Sequence, residues 1–464
     1  MHYTIAFVPL ARTTFDILLA EQVALAARQN LQAAGYQLIG PDHLITDLSM
    51  AQAVADELRS ASFDLLIVFQ ATFADSTMVT SLAEATRGPI LLWAVPEART
   101  GGRLRLNSLC GINLAGHALT LRRRGYDYAY LPPDSPQILD KIAPLAGAGN
   151  VYRRLQKARL GVVGEHPAGM DSCHLDAAGL KEHLGLEVIQ IDLAEVFTRA
   201  RGLPDDAIQP VRMELDRELD NLESLEQAPL RGTLSVYAAL DQIAKENELD
   251  GLAVRCWPEF FTELGCAACG AMSMLSEGFI TGRPVPCSCE ADINGTVTQL
   301  ILQWLAEQPA FGTDLVVIDV DEDVIALWHC GLAPFSMADP NVQKRGTIHS
   351  NRRLPLLMEF PLKPGEVTFA RLSQATGELR LVMGRGEMLS APAPFSGTSG
   401  TLRMEISAQR FLDALMTEGL EHHISLAYGD YLPALQSLAR LLNLPVLNLT
   451  RDALSATSYP VNSI

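Results

Sequence analysis

The sequence predicts an α/β protein: two doubly wound parallel-sheet domains come first, and a mostly antiparallel, β-barrel-like domain follows. Three observations predict it. Up to about residue 310, continuous apolar strands alternate with amphipathic helices, the pattern of parallel sheets covered on both faces. Beyond that point the strands become short and alternating, with Gly and Pro turns between them, as in an antiparallel sheet that closes on itself. The chain has 464 residues, 48% hydrophobic and 19% charged, which supports two or three cores and excludes a disordered protein.

In order, Thr4 to Pro9 reads as the first strand and Asp16 to Ala33 as an amphipathic helix ending near Gly35. Asp64 to Phe69 and Pro89 to Pro96 are further apolar strands, and Gly111 to His117 opens another helix. A second unit starts near Lys157. Its strands are Ala158 to Gly164, Leu186 to Ile191 and Leu252 to Trp257, with a helix from Asp176 to Leu184 and an acid-rich helical stretch from Val211 to Ala228. Short strands follow at Leu315 to Val320, Val324 to His329, Val367 to Leu372, Glu378 to Val382 and Thr401 to Ile406. A helix from Tyr431 to Leu442 and a strand from Val446 to Leu449 close the fold. The expected domains are 1–155, 156–310 and 311–464, and ligands in such sheets sit beyond the carboxyl ends of the strands.

With 54 acids against 36 Lys plus Arg, the formal charge is −18. That argues against nucleic acid and against an anionic membrane surface as partners. It leaves room for a sugar, and for a cation held by carboxylates. The N-terminus shows no signal peptide, and no apolar run is long enough for a membrane span. The eight scattered cysteines suit reduced thiols, so the expected location is the cytoplasm.

The string Cys287-Ser288-Cys289-Glu290-Ala291-Asp292-Ile293-Asn294-Gly295 places two carboxylates in a strand-to-helix turn. Asp292 reads first as a helix cap; Glu290 lies too early to cap and is the functional candidate. Asp319 ends the apolar run Leu315 to Ile318, so it is either paired, metal-bound or the start of the turn to Asp323. His329 lies between apolar neighbours, where a histidine is more often structural than a ligand. His422 and His423 enter a late strand, and alternation sends their rings to opposite faces. Carboxylate and imidazole donors without thiolate suit Mn²⁺, with Mg²⁺ or Co²⁺ as alternatives, more than structural zinc. Cys266-Ala267-Ala268-Cys269 reads as helix packing. The glycine fingerprint of a dinucleotide site is missing, as are a phosphate loop and a nucleophile elbow.

In their order, these strings resemble the fucose/arabinose isomerase superfamily. The resemblance rests on Ser108-Leu109-Cys110-Gly111 with Gly116-His117, Cys256-Trp257-Pro258-Glu259-Phe260, the Cys289-Glu290-Ala291-Asp292 turn, Asp319, the Trp328-His329-Cys330-Gly331 string and the His422-His423 pair. It implies a metal-dependent aldose–ketose isomerase working through an enediol(ate), with Glu290 and Asp319 as acid/base pair and as metal ligands. His423 completes the ligand set, with His422 as its alternative and His329 as an additional metal or substrate contact. The resemblance further implies Mn²⁺, a homo-oligomer (trimer or hexamer), and Arg12, Phe15, Trp257 and Glu259 as sugar-lining residues. A modified aldose, sulfonated or deoxy, is a substrate within the same class. The competing readings are a non-catalytic sugar-binding or sensing protein with a periplasmic-binding-like cleft, and an NAD-dependent oxidoreductase.

Overall fold

A computed structural model of the protein describes residues 3–451. The chain forms two compact units, Met1–Leu155 with Pro433–Asn443, and Gln156–Leu432 with Leu444–Ile464. Among the described residues no helix is long and apolar enough to cross a membrane.

The first unit is built on one sheet of β1 (Thr4–Leu10), β2 (Gln37–Ile39), β3 (Leu65–Gln70), β4 (Ile90–Ala94) and β5 (Asp127–Tyr130). Its strands are all parallel and run in the order β2-β1-β3-β4-β5. β1, β3 and β4 are apolar and almost wholly buried because helices cover both faces. Those helices are α1 (Ile17–Ala33), α2 (Leu48–Ser60), α3 (Ser76–Ala83), α4 (Ser108–Leu121) and α5 (Gln137–Leu155). Asp16, Asp47 and Asp75 cap the first three by accepting backbone N–H bonds, the residue type the helix starts require. The strand order reverses at β1 and β3, which is where open α/β sheets leave a crevice.

The second unit contains a smaller parallel sheet, β7-β6-β8-β9, made of β6 (Arg159–Val163), β7 (Glu187–Ile191), β8 (Gly251–Val254) and β9 (Cys287–Ser288). Its helices are α6 (Ala177–Leu184), α7 (Leu193–Gly202), α8 (Asp205–Glu218), α9 (Gln227–Glu246), α10 (Cys269–Glu277) and α11 (Ile293–Ala306). The helical stretch expected over 211–228 is broken after Glu218. Asn221 exchanges two hydrogen bonds with the Gly346 backbone, at 2.7 and 2.8 Å, which draws it out of the helical path.

The remaining strands are β10 (Phe311–Asp319), β11 (Val324–His329), β12 (Arg345–Thr347), β13 (Leu357–Pro361), β14 (Gly365–Ser373), β15 (Arg380–Met388), β16 (Thr398–Met404), β17 (His423–Tyr428) and β18 (Val446–Asn448). Six of them run antiparallel in the order β16-β11-β10-β17-β14-β15, and β15 pairs with β16 to close a barrel. Closure removes free sheet edges. One further helix, α12 (Ala408–Thr417), precedes β17.

α11 lies between β8 on one side and the barrel strands β14 and β17 on the other. It is nearly all buried, so its polar side chains need partners. Thr298 takes the Leu372 N–H at 2.9 Å, and Gln299 donates to Ser288 at 2.7 Å. One apolar cluster runs from Val163 through Phe260 and Phe311 to Leu449, so sheet and barrel share a core. The start of α11 therefore meets β14 and β17, through Arg371 and His423 on Asp292.

Candidate active site

The turn from β9 into α11 presents Glu290. Asp292 caps α11 by accepting the Gly295 N–H at 3.0 Å. Before the cap, Glu290 (φ 59°, ψ 26°) and Ala291 (φ 55°) both adopt left-handed backbone. Non-glycine residues there cost about 1–3 kcal/mol each, and such strain gathers at functional sites. Here it swings the Glu290 side chain out of the helix line. Trp257 Nε1 donates to Glu290 Oε1 at 3.2 Å, and His422 Nε2 meets Oε2 at 3.2 Å. Cys256 and Cys289, the neighbours of these partners, are joined by a disulfide, against the expectation of eight reduced thiols. Burial pushes the Glu290 carboxyl up, but the His422 hydrogen bond and the His423 charge outweigh it and leave the group below its usual range.

β17 brings His423 to the same place. Its Nδ1 donates to Asp292 Oδ2 at 2.9 Å, and that oxygen also accepts from Arg371 at 2.5 Å. Arg371 and Asp292 are both buried, and burial of Asp292 is overcome chiefly by the Arg371 charge, so its carboxyl lies well below the ordinary value. With Nδ1 committed to Asp292, Nε2 is the His423 nitrogen turned toward the other carboxylates. It points 3.1 Å from Asp314 Oδ1 and 3.7 Å from Glu290 Oε2, buried and without an aligned hydrogen bond. Burial lowers the affinity of this ring for a second proton, yet Asp292 and Asp314 together raise it well above the usual range.

An imidazole whose one nitrogen is held by an outer carboxylate and whose other nitrogen is aimed between two more carboxylates has the arrangement of a histidine metal ligand. Two sets of donor atoms lie within 4.8 Å of one another around this nitrogen: Glu290 with His422, His423 and the Cys173 thiol, and Asp314 with His329 and His423. The carboxylate oxygens and imidazole are donors suited to Mn²⁺, and the Cys173 thiol beside them is pushed above its ordinary range by burial. His329 differs. Its Nδ1 accepts the Cys330 N–H at 2.9 Å, so a neutral ring carries its proton on Nε2 and offers an N–H in place of a lone pair. It stacks on His423 at 5.7 Å and groups with Asp314.

Trp257, Glu290, Asp314, His329 and Arg352 are among the residues lining a cavity of about 530 Å³. The size suits a small ligand.

The structure brings together Glu290, His422, His423, His329 and Trp257, and leaves Asp319 out. Asp319 ends β10, pairs in register with Val324 and accepts the Glu322 N–H at 2.9 Å, the turn role that the sequence left open. Asp314, at the other half of the strand opposite His423, takes the place expected for Asp319. The expectation that His422 and His423 face opposite ways also fails. β17 begins at His423, so His422 sits in the preceding bend and the two ring centroids are 4.0 Å apart. Glu259 turns back to Arg255, with contacts of 2.7 and 2.9 Å, and is absent from the cavity wall. Arg12 pairs with Asp75 and Phe15 packs on Phe73 at 5.9 Å, in the first unit's loops beyond β1 and β3. The residues that sequence reasoning missed are Asp314 and Arg371. No local pattern marks them, because cross-strand register decides where they point.

Two carboxylates and a free imidazole nitrogen beside a sugar-sized cavity are equipment for moving a proton between neighbouring carbons. The comparisons place the protein in the class that does so, the aldose–ketose isomerases. Residues 6–156 match the family described as fucose/sulfoquinovose isomerase, N-terminal domain, and residues 358–450 match L-fucose isomerase, C-terminal domain. A sulfoquinovose isomerase of Priestia megaterium is 32% identical over 95% of this chain and 98% of its own length. One from Alkalicoccus urumqiensis is 31% identical over 96% of this chain and 99% of its own. The chain belongs to the fucose isomerase family, in the group that includes these relatives.

Proposed function

We propose that the protein interconverts a sulfonated aldose and the corresponding ketose, with a divalent ion, Mn²⁺ or alternatively Mg²⁺ or Co²⁺, held by Glu290, Asp314 and His423. The observation that carries the reading is His423 Nε2, turned by the Nδ1–Asp292 contact toward both carboxylates. The names of the relatives support the substrate class. A sugar receptor without chemistry, the other reading of the sequence, has no use for such a nitrogen.

Moving the carbonyl from C1 to C2 takes a proton from C2 and delivers one to C1, with a second exchanged between O1 and O2. A bound divalent ion supplies Lewis-acid stabilisation of the charge that develops on the sugar oxygens. Glu290 and Asp314 act as the acid and base; both are held below their ordinary values and so stand ionised, the form that holds a cation and from which a base works. Trp257 and His422 hold one Glu290 oxygen each, which fixes the carboxylate plane against the sugar. Arg371 and Asp292 keep the His423 ring in one tautomer. The same reading carries a homo-oligomer, a trimer or hexamer, for which light scattering gives the mass.

Glu290→Gln tests the assignment. With Mn²⁺ supplied, NMR of the aldose–ketose mixture is expected to show turnover reduced by about 10³-fold or more, with the circular dichroism spectrum unchanged. Isomerisation near the wild-type rate by this variant would sink it.

A further inference from the structure

Arg352 is the one Lys or Arg on the wall of this cavity among the described residues, and its guanidinium has no ion-pair partner among them. The molecule pairs most of its arginines with acids, Arg371, Arg380 and Arg385 among them. An arginine left free in a protein of charge −18 is available for another anion. Its position is built into the fold. His349 Nδ1 accepts the N–H groups of Asn351 and Arg352, both at 3.2 Å. The His349 backbone bonds Leu354 at 3.0 Å and Arg353 at 2.8 Å, closing the loop on itself. The guanidinium lies 5.7 Å from the ring centres of both Trp257 and Phe261. Aromatic faces hold an arginine by stacking and leave its N–H edge free for planar, bidentate contacts.

Trp257 touches both Glu290 and Arg352. Its Nε1 reaches Glu290 at 3.2 Å and its face carries the Arg352 guanidinium 5.7 Å from the ring centre, so one side chain contacts both the proton-transfer carboxylate and the cation. A hexose whose C1 and C2 lie at Glu290 and Asp314 extends its far end into the same cavity, whose lining cation is Arg352. We infer that Arg352 is the specificity-determining residue for the substrate's far end, binding an anionic group on C6, a sulfonate in the proposed reaction. A sulfonate stays ionised at every physiological pH and presents three acceptor oxygens, which match a guanidinium fork. The inference rests on the proposed isomerase reading and adds to it the residue that selects the charged sugar.

The test compares the sulfonated aldose with its neutral 6-hydroxy counterpart on the Mn²⁺-loaded protein. In Arg352→Gln, KM for the sulfonated sugar is expected to rise about 30- to 100-fold while kcat changes less than about threefold, because the lost contact is equal in ground and transition states. The preference for the sulfonated over the neutral sugar falls by a similar factor. Arg352→Lys, which keeps the charge without the fork, recovers part of the affinity. Arg352 is exposed on a loop, so both variants are expected to fold. Wild-type protein that turns over neither sugar defeats the isomerase reading. Wild-type turnover of the sulfonated sugar with an unchanged KM in Arg352→Gln overturns the role of Arg352 alone.

Discussion

Asp314 and Asp319 share β10 but meet different surroundings. Asp314 faces His423 at 3.1 Å, and burial there is offset by the His329 and His423 charges, which hold its carboxyl below the ordinary range. Asp319 gives its oxygen to the Glu322 N–H in the turn beyond the strand. Asparagine retains the acceptor that the turn needs but loses the charge that an ion needs. Asp319→Asn is therefore expected to change stability by less than about 0.5 kcal/mol and turnover by less than about twofold. Asp314→Asn is expected to lower metal affinity and turnover each by about 10²-fold or more. Urea titration and isomerase assays at graded Mn²⁺ distinguish the pair, and equal effects from both would contradict the placement of the ion. The sequence alone favours Asp319, since an acid at the end of an apolar run stands out. Asp314 follows Phe311-Gly312-Thr313 and carries no such mark; its role comes from register with His423, which no local pattern encodes.

At the scale of an element, α11 ties the site to the core. Its first turn must pass close to the Asp292 carboxylate. A Cβ on Gly295 would lie 2.5 Å from Asp292 Oδ2, the oxygen shared by His423 and Arg371. Gly295→Ala is expected to displace that oxygen, cost about 1–3 kcal/mol and weaken metal binding with it. Gly202, at the end of α7, has open space around its position and serves as the control: alanine there is expected to be neutral or slightly stabilising. Denaturation midpoints and Mn²⁺ titrations of the two variants give the comparison; a Gly295→Ala protein that binds Mn²⁺ like wild type would show that Asp292 does not hold the ligand. The capping role of Asp292 was legible from its place three residues before Gly295. Its second oxygen was not, because Arg371 and His423 arrive from β14 and β17 across the barrel. Strand alternation also misled at the His422-His423 pair, since it applies only inside a strand and β17 begins at the second of the two.

For the whole molecule, apolar runs between helices sufficed to read the parallel sheets, and short alternating strands sufficed for the antiparallel part. The expected barrel-like closure is present, but that β15 and β16 make it was beyond reach, as was the packing of residues 156–310 with most of 311–464 around one core. That shared core makes metal binding a matter of global stability. Glu290 comes from the turn after the parallel sheet, whereas Asp314 and His423 come from barrel strands. An ion holding all three cross-links elements that must separate on unfolding. A ligand bound only by the folded state adds about 2.7 kcal/mol at a hundredfold excess over its Kd. Mn²⁺ is therefore expected to raise the melting temperature of the unit containing residues 156–432, and a chelator to reverse the rise. The shift should persist in Asp319→Asn and vanish in Asp314→Asn, measured by calorimetry across a Mn²⁺ series. A melting temperature indifferent to Mn²⁺ in the wild-type protein would remove the ion from the site, since three donors from separate elements have no way to bind it without opposing their own separation.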